Sequence, residues 1–279
     1  MRRVLVLLLP GVHLLDLAGP VQVCHSANEQ GADYALTFCA CQPQVPSAQG
    51  LTLADLSPLP EIQPGDLILV PGVQVGPAQH LPTLLPPEAS DWLRGSAQRG
   101  AEVAAVCAGA FALGEAGLLA GRRCTTHWSL TSLLQMRYPG ARVLEGVLFV
   151  HDRGVTTSAG IASGTDLALS LVEQHHGPLL TARVARDLVV YMRRGGEHAQ
   201  VSIYLEYRTH LHAGVHRVQD YITQHPAERA TLADLGRVAG LSERHLARTD
   251  RQECAGRRRS GRRRAVQGRG TEALPAGLP

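Results

Sequence analysis

Cys107, Asp16 and His127 are the side chains of this sequence whose types could assemble a nucleophilic site. A thiolate attacks a carbonyl-like carbon, an imidazole moves the proton, and a carboxylate orients the pair or takes the proton itself. Cys107 closes the apolar run Glu102–Val106, and Ala108, Gly109 and Ala110 follow before a helical pattern sets in. Strand, sharp turn and helix in that order form a nucleophile elbow, which holds its reactive side chain strained and exposed. The small residues let the backbone pass close behind the thiol. The N-terminus of the following helix favours the thiolate. The backbone N–H of Ala108, with one near Gly72 or Val73, would face a developing oxyanion. Each residue also has a plain structural alternative. Cys107 can be a core cysteine, Asp16 a carboxylate at a helix start, and His127 a structural histidine beside Trp128.

A second set of residues has the chemistry of a nucleic-acid reader. Thr231 is placed to cap a helix over Leu232–Ala239, Gly240, Leu241 and Ser242 make a turn, and Ser242 caps a helix over Glu243–Arg251. Leu235, Val238, Leu241 and Leu246 supply a small core between these two helices, and Val215, Val218, Tyr221 and Ile222 recur at helical spacing over 213–225 before Pro226 ends the run. The exposed positions of the last helix are Arg244, His245, Arg248 and Arg251, with Ser242 at its start. Arginine pairs bidentately with guanine, and residues near the start of a reading helix reach base edges. The alternative is a helical hairpin with a solvated Arg face. Asp250 interrupts the buried stripe four residues after Leu246, where a carboxylate costs several kcal/mol or forces the helix end outward.

The elements that must position Cys107 read as an α/β domain. Val4–Leu9, Tyr34–Cys41, Asp66–Val70 and Glu102–Val106 are strands, the first and third unbroken aliphatic runs that suit parallel strands buried on both faces. A short strand over 51–53 and helices over 18–30 and 88–99 intervene, and Asp16 falls in the loop before the first helix. Alternation of strands and helices implies right-handed crossovers and a parallel sheet. Asp16, Gly72 and Cys107 then follow three strand ends, at the rim where such sheets bind ligands. Farther on, Arg122–Thr126, Ala141–Leu144, Val147–Val150 and Gly154–Thr157 read as strands, and 128–137, 166–176 and 179–194 as helices, with Ser163 or Thr165 capping the second.

All 27 basic residues are arginine, and the net charge of +3 is unevenly spread. Residues 1–248 hold 19 Arg against 21 acids, and residues 249–279 hold 8 Arg against 3 acids. The basic character belongs to the tail. Six cysteines include no CxxC pair; Cys39 and Cys41 share a strand face and would not bridge. A reducing, cytoplasmic setting is expected. No segment is long enough to span a membrane, and the N-terminal apolar run reads as a first strand, not a leader. No metal site is expected: His175 and His176 point apart, and His210, His212 and His216 lack partners at ligand spacing. No phosphate-cradling glycine loop is present, and no cofactor is expected.

The stretch AVCAGAFALGEAGLL at 105–119, followed by TTHW at 125–128, resembles the elbow region of PfpI-like domains of the class I glutamine amidotransferase-like superfamily. TLADLGRVAGLSERHLAR at 231–248 resembles the first of two helix-turn-helix units of AraC-type regulators. The resemblance is to the group of bacterial transcriptional regulators that fuse the two, and it runs from about residue 3 to about residue 254. It implies a flavodoxin-like α/β sandwich over 1–194 that senses a small molecule and dimerises, and a linker over 195–212 marked by Gly195 and Gly196. It further implies a partial DNA-binding domain over 213–254 and an Arg-rich tail over 255–279. DNA, a small-molecule effector and a second copy of the chain are the implied partners. Two departures matter. The peptidase-like branch has His directly after the cysteine, where this chain has Ala108. Beyond Cys254 the run RRRSGRRR stands where a second helix-turn-helix is expected, the pattern of a frameshifted or decayed gene end. The competing expectation is a cysteine-dependent hydrolase or hydratase with Cys107, Asp16 and His127 as its catalytic set.

Overall fold

The computed structural model describes residues 1–76, 83–191, 193–200, 212–225 and 228–249. The chain divides into two compact units, Met1–Gln200 and Val201–Pro279.

In the first unit, β1 (Arg2–Leu7), α1 (Leu14–Glu29) and β2 (Tyr34–Cys39) form a parallel crossover. A small ribbon, β3 (Val45–Pro46) and β4 (Thr52–Leu53), precedes β5 (Leu67–Val70), α2 (Pro87–Gln98), β6 (Glu102–Val106) and α3 (Gly109–Glu115). Then come β7 (Arg123–Cys124), α4 (Thr131–Arg137), β8 (Arg142–Val143), β9 (Phe149–Asp152), β10 (Val155–Ser158), α5 (Ser163–His176) and α6 (Pro178–Asp187). The main sheet has the order β2-β1-β5-β6-β10-β9 and is parallel except for the β9–β10 hairpin. That hairpin turns on Arg153 and Gly154, both at positive φ, the two-residue turn that matches strand twist.

Strand alternation splits the core. Leu5, Leu7, Val103 and Ala105 face one side, with Leu93 and Phe111; Val4, Val6, Ala104 and Val106 face the other, with Leu167 and Leu169. Each buried aliphatic side chain contributes about 1.5–3 kcal/mol, so a sheet covered on both faces is what these runs specify. Chain direction across the sheet reverses between β1 and β5, the place where α/β sheets open a crevice at their carboxyl ends.

Several boundaries differ from expectation. α1 starts at Leu14: His13 holds the N-cap position in extended conformation without a side-chain cap, and Gln49 Oε1 accepts the Leu14 N–H at 3.0 Å, so Asp16 lies in the first helical turn and not in a loop. β2 ends at Cys39, which leaves Cys41 outside the strand and exposed; the two do not share a face. α4 begins at Thr131 and not at Trp128. α5 begins at Ser163 with Ala162 at the cap position and no side-chain cap. α6 stops at Asp187, well short of Arg194. The chain then runs back along the unit to Gln200: Leu148 N–H donates to Gly196 O at 2.7 Å, and Val147 bridges Ala199. Residues 195–200, expected as linker, therefore belong to the α/β unit.

In the second unit, α7 (Ala213–Gln224), α8 (Leu232–Ala239) and a helix over 243–249, α9, enclose Val215, Val218, Ala239 and Leu246. Ile222 is 51% exposed and stays outside this core. Thr231 and Asp234 cap α8 reciprocally, and Gly240 ends it in the left-handed conformation at φ 68°. Among the described residues no helix is long and apolar enough to cross a membrane.

Candidate functional site

Cys107 sits where β6 hands over to α3, with φ at 56°, a conformation that costs a non-glycine residue energy and that the surrounding contacts must hold. Its N–H donates to Ser158 O at 3.0 Å on the neighbouring strand, and its carbonyl accepts from Thr126 Oγ1 at 2.7 Å. The elbow is present, but its thiol is only 6% exposed. Gly160 forms a roof: a Cβ there would sit 2.7 Å from Cys107 Sγ and collide with Cys107 Cβ. Gly72 closes the other side, where a Cβ would collide with Asp16 Oδ2 and stand 2.7 Å from Cys107 Cβ.

Asp16 is fully buried and acts on the thiol from α1. Its Oδ1 accepts the Ile161 N–H at 2.5 Å, while its Oδ2 is buried without a hydrogen-bond partner. Burial pushes the Asp16 carboxyl up, against the pull of the Ile161 amide and of nearby His13. Burial, and then the Asp16 charge, push the Cys107 thiol up to about 12, although the Ala108 N–H faces it and pulls the other way. Desolvation and the Asp16 charge thus oppose the thiolate that the short helix start favours.

His127 is not drawn into this pair. Its Nδ1 lies 2.8 Å from Ser129 Oγ and accepts the Ser129 N–H at 3.4 Å, and its ring is tilted against Trp128. Burial, and to a smaller extent nearby His13, hold its pKa below the ordinary histidine value. His13 is the histidine whose influence reaches both Asp16 and His127. It is anchored by its N–H to Gly72 O at 2.8 Å and by Gln49 Nε2 on its Nδ1 at 3.0 Å. Val73 bridges Val12 through the flanking bonds His13 N–H to Gly72 O and Gln74 N–H to Gly11 O, both at 2.8 Å, and of the expected oxyanion donors the Ala108 N–H faces the thiol.

Beside Gly160 lies a cavity of about 180 Å³ whose walls include His127, Trp128, Ile161, Ser163, Arg194 and Gln200. A larger cavity of about 410 Å³ lies between Leu8, Leu9, Ala40 and Leu85, with Cys41, Gln42 and Thr83 also on its walls, and Cys107 does not line it. Ile161, Gly160, His13 and Gln200 escaped the sequence reading. The small-residue run Ala159–Gly164 follows a strand of the same sheet, which was the available signal for its two members. Among the described residues no group of three His, Cys, Asp or Glu could hold a metal ion.

In the second unit, Ser242 Oγ accepts the His245 N–H at 3.3 Å at the start of α9. Ser242, Arg244, His245 and Arg248 are exposed, and Leu246 and Thr249 are buried on the opposite side. Arg251 and Asp250 lie outside the described residues.

The DJ-1/PfpI family pattern matches residues 2–174. The HTH-type transcriptional regulator CdhR of Pseudomonas aeruginosa is 31% identical over 204 residues, 72% of this chain and 59% of that protein. The isonitrile hydratase of Pseudomonas putida is 36% identical over 169 residues, 60% of this chain and 69% of the hydratase. The crystal structure of an AraC family transcriptional regulator from Pseudomonas putida superposes with a TM-score of 0.59 at 27% identity, over 67% of this chain and all of that one. The chain thus spans little more than half the length of its regulator relative CdhR. A mostly parallel sheet with a strained cysteine at the elbow after β6, matched from β1 into α5 by one family pattern, places this chain in the DJ-1/PfpI family.

Proposed function

We propose that this protein is a DNA-binding transcriptional regulator of the AraC type, acting in the cytoplasm, in which the DJ-1/PfpI unit binds a small-molecule effector and pairs two copies of the chain. The observation that carries this reading is the roofed thiol. A nucleophile that Gly160 covers and whose ionisation burial opposes suits a pocket retained for recognition better than one used for turnover. The exposed Ser242, Arg244, His245 and Arg248 beside a capped helical turn fit insertion of α9 into a major groove, and a dimer would present two such helices to two half-sites. Regulator relatives with the same α/β domain support it. In this reading the domains are the α/β sensor to Gln200, a linker to 212 and a partial helix-turn-helix unit over 213–254, with an Arg-rich tail over 255–279. Fluorescence anisotropy on the protein's own upstream DNA against scrambled DNA, at two salt concentrations, tests it. Preference for the upstream fragment that survives the higher salt supports regulation. Equal binding abolished by salt reduces the interaction to tail arginines on phosphates and overturns it.

The second reading is a cysteine-dependent hydratase or hydrolase, favoured by the Asp16–Cys107 pair at the elbow and by the hydratase relative. In it Asp16 takes the thiol proton as Cys107 attacks. A turnover activity abolished by Cys107→Ser would support this reading, and ligand-dependent DNA binding that survives the same change would count against it.

A further inference from the structure

Gly160, Ile161 and Ala162 cover the thiol with a single thickness of backbone. Beneath them Cys107 is 6% exposed; on the outer side Ile161 is 46% exposed, and Ala162 is exposed too. The span is anchored at both ends. Upstream, the Ala159 N–H donates to Leu148 O at 2.7 Å. Downstream, where α5 begins, Ser163 Oγ accepts the Gly160 N–H at 2.7 Å and donates to Gly160 O at 3.0 Å. Between the anchors one bond ties the span down onto the site, the Ile161 N–H on Asp16 Oδ1 at 2.5 Å.

The closed span is held against its own backbone. Ile161 stands at φ 50°, in the left-handed region, where a β-branched residue is an outlier. Such a conformation persists only while its surroundings over-determine it, and here the surroundings are the Asp16 bond and the Ser163 anchor. Asp16 Oδ2 is meanwhile buried without a hydrogen-bond partner. Release of the Ile161 N–H lets Ile161 return to the extended region and lets water reach the Asp16 carboxyl, so both costs of closure fall away together. Few bonds hold the span, its outer surface is solvated, and its conformation is strained; these are the marks of a segment that opens locally while the sheet stays folded.

We propose that residues 160–162 are a gate over Cys107, latched by Asp16 and Ser163, and that a ligand or reagent reaches the thiol when this span lifts. The proposal goes beyond both readings of the site, because an effector that is recognised and a substrate that is turned over would need the same opening. α5 starts at the downstream anchor, and Asp166 in its first turn accepts from Arg194 Nε at 3.1 Å. The gate and the segment that closes the α/β unit at Gln200 therefore hang on one helical turn.

The test uses the full-length protein and two variants that leave every charge in place. Ile161→Asn keeps the N–H and puts at φ 50° a residue type that enters the left-handed region readily, which favours the closed gate. Ser163→Ala removes the downstream anchor, which favours the open one. Labelling of Cys107 by methyl methanethiosulfonate at pH 9, read by mass spectrometry, should be about fivefold slower in Ile161→Asn and about fivefold faster in Ser163→Ala than in the wild type. Hydrogen exchange should follow by the same factors, slower at the Gly160 amide of Ile161→Asn and faster at the Ile161 amide of Ser163→Ala, with β1 amides unchanged. Equal labelling in all three proteins would overturn the proposal. So would labelling that changes while these amides do not, since the thiol would then be reached by another route. A shifted pH midpoint of labelling in either variant would overturn it as well, because the substitution would be acting on ionisation of the thiol. If Ser163→Ala does not fold, Ile161→Asn decides alone, since slower labelling is a result that general loosening of the fold does not produce.

Discussion

Ile161 donates its backbone N–H to Asp16 Oδ1 at 2.5 Å, a bond that joins the loop before α5 to the first turn of α1 across 145 residues of sequence. It holds the carboxylate beneath the thiol, and the Asp16 charge is one reason that thiol resists ionisation. Asp16→Asn keeps an acceptor for Ile161 and removes the charge. The Cys107 midpoint should then move from about 12 toward the ordinary thiol range. Iodoacetamide labelling of Cys107 at pH 9, read by mass spectrometry, should be several-fold faster in the variant, and an unchanged rate would mean that burial alone sets the thiol.

Gly160→Ala forces a side chain onto Cys107 at a φ of 108°. Overpacking of this kind costs about 1–3 kcal/mol, before backbone strain is added. The urea midpoint of the α/β unit should fall accordingly, and Cys107 should become more reactive as the roof is displaced. A variant of wild-type stability would show that Gly160 does not press on the thiol.

At the opposite end of the sheet, His175 Nε2 and Arg2 Nη1 hold Glu102 at 3.0 and 2.9 Å and bring its carboxyl down to about 2. Because the folded value lies below the unfolded one, Glu102 contributes stability at pH values above about 4.5, and the contribution is lost as pH falls toward about 2. Its side chain is 36% exposed, so after screening the contribution is about 1 kcal/mol. Urea titrations from pH 6 to pH 3 should show Glu102→Gln less stable at pH 6 and the gap closing with acid.

Thr231 and Asp234 satisfy two backbone donors at the start of α8. Thr231→Ala should destabilise the second unit by about 1 kcal/mol and leave the α/β unit unaffected. Circular dichroism and hydrogen exchange on the full chain separate the two.

Arg244 and Arg248 distinguish reading from simple attraction. If Arg244 contacts a base, Arg244→Ala should cost about 1–3 kcal/mol on upstream DNA and nothing on scrambled DNA. A phosphate contact from Arg248 should instead lower the salt slope of binding by about one, equally on both DNAs.

The elbow was legible because Glu102–Gly114 carries its own pattern: an apolar run, a cysteine, small residues and a helix. Asp16 was legible as a strand-end residue but misplaced in a loop, since the cap that starts α1 at Leu14 comes from Gln49, 35 positions away. The burial of Cys107 was not legible, because the roof over it is Gly160, in the loop after β10, and β10 comes beside β6 only once the sheet forms. Gln200 was hidden for the same reason. The glycine pair Gly195–Gly196 looks like a hinge in sequence, yet Gly196 is pinned by Leu148 and packs against Phe149, where a Cβ would stand 3.2 Å from its ring.

That pinning says where the two halves of this gene can be recombined. A crossover at the glycine pair, which grafted another domain onto residues 1–194, would strip Leu148, Val147 and Thr126 of their partners and leave the cavity without its Gln200 wall. The heritable module ends after Gln200, and a chimera joined there keeps that cavity whole.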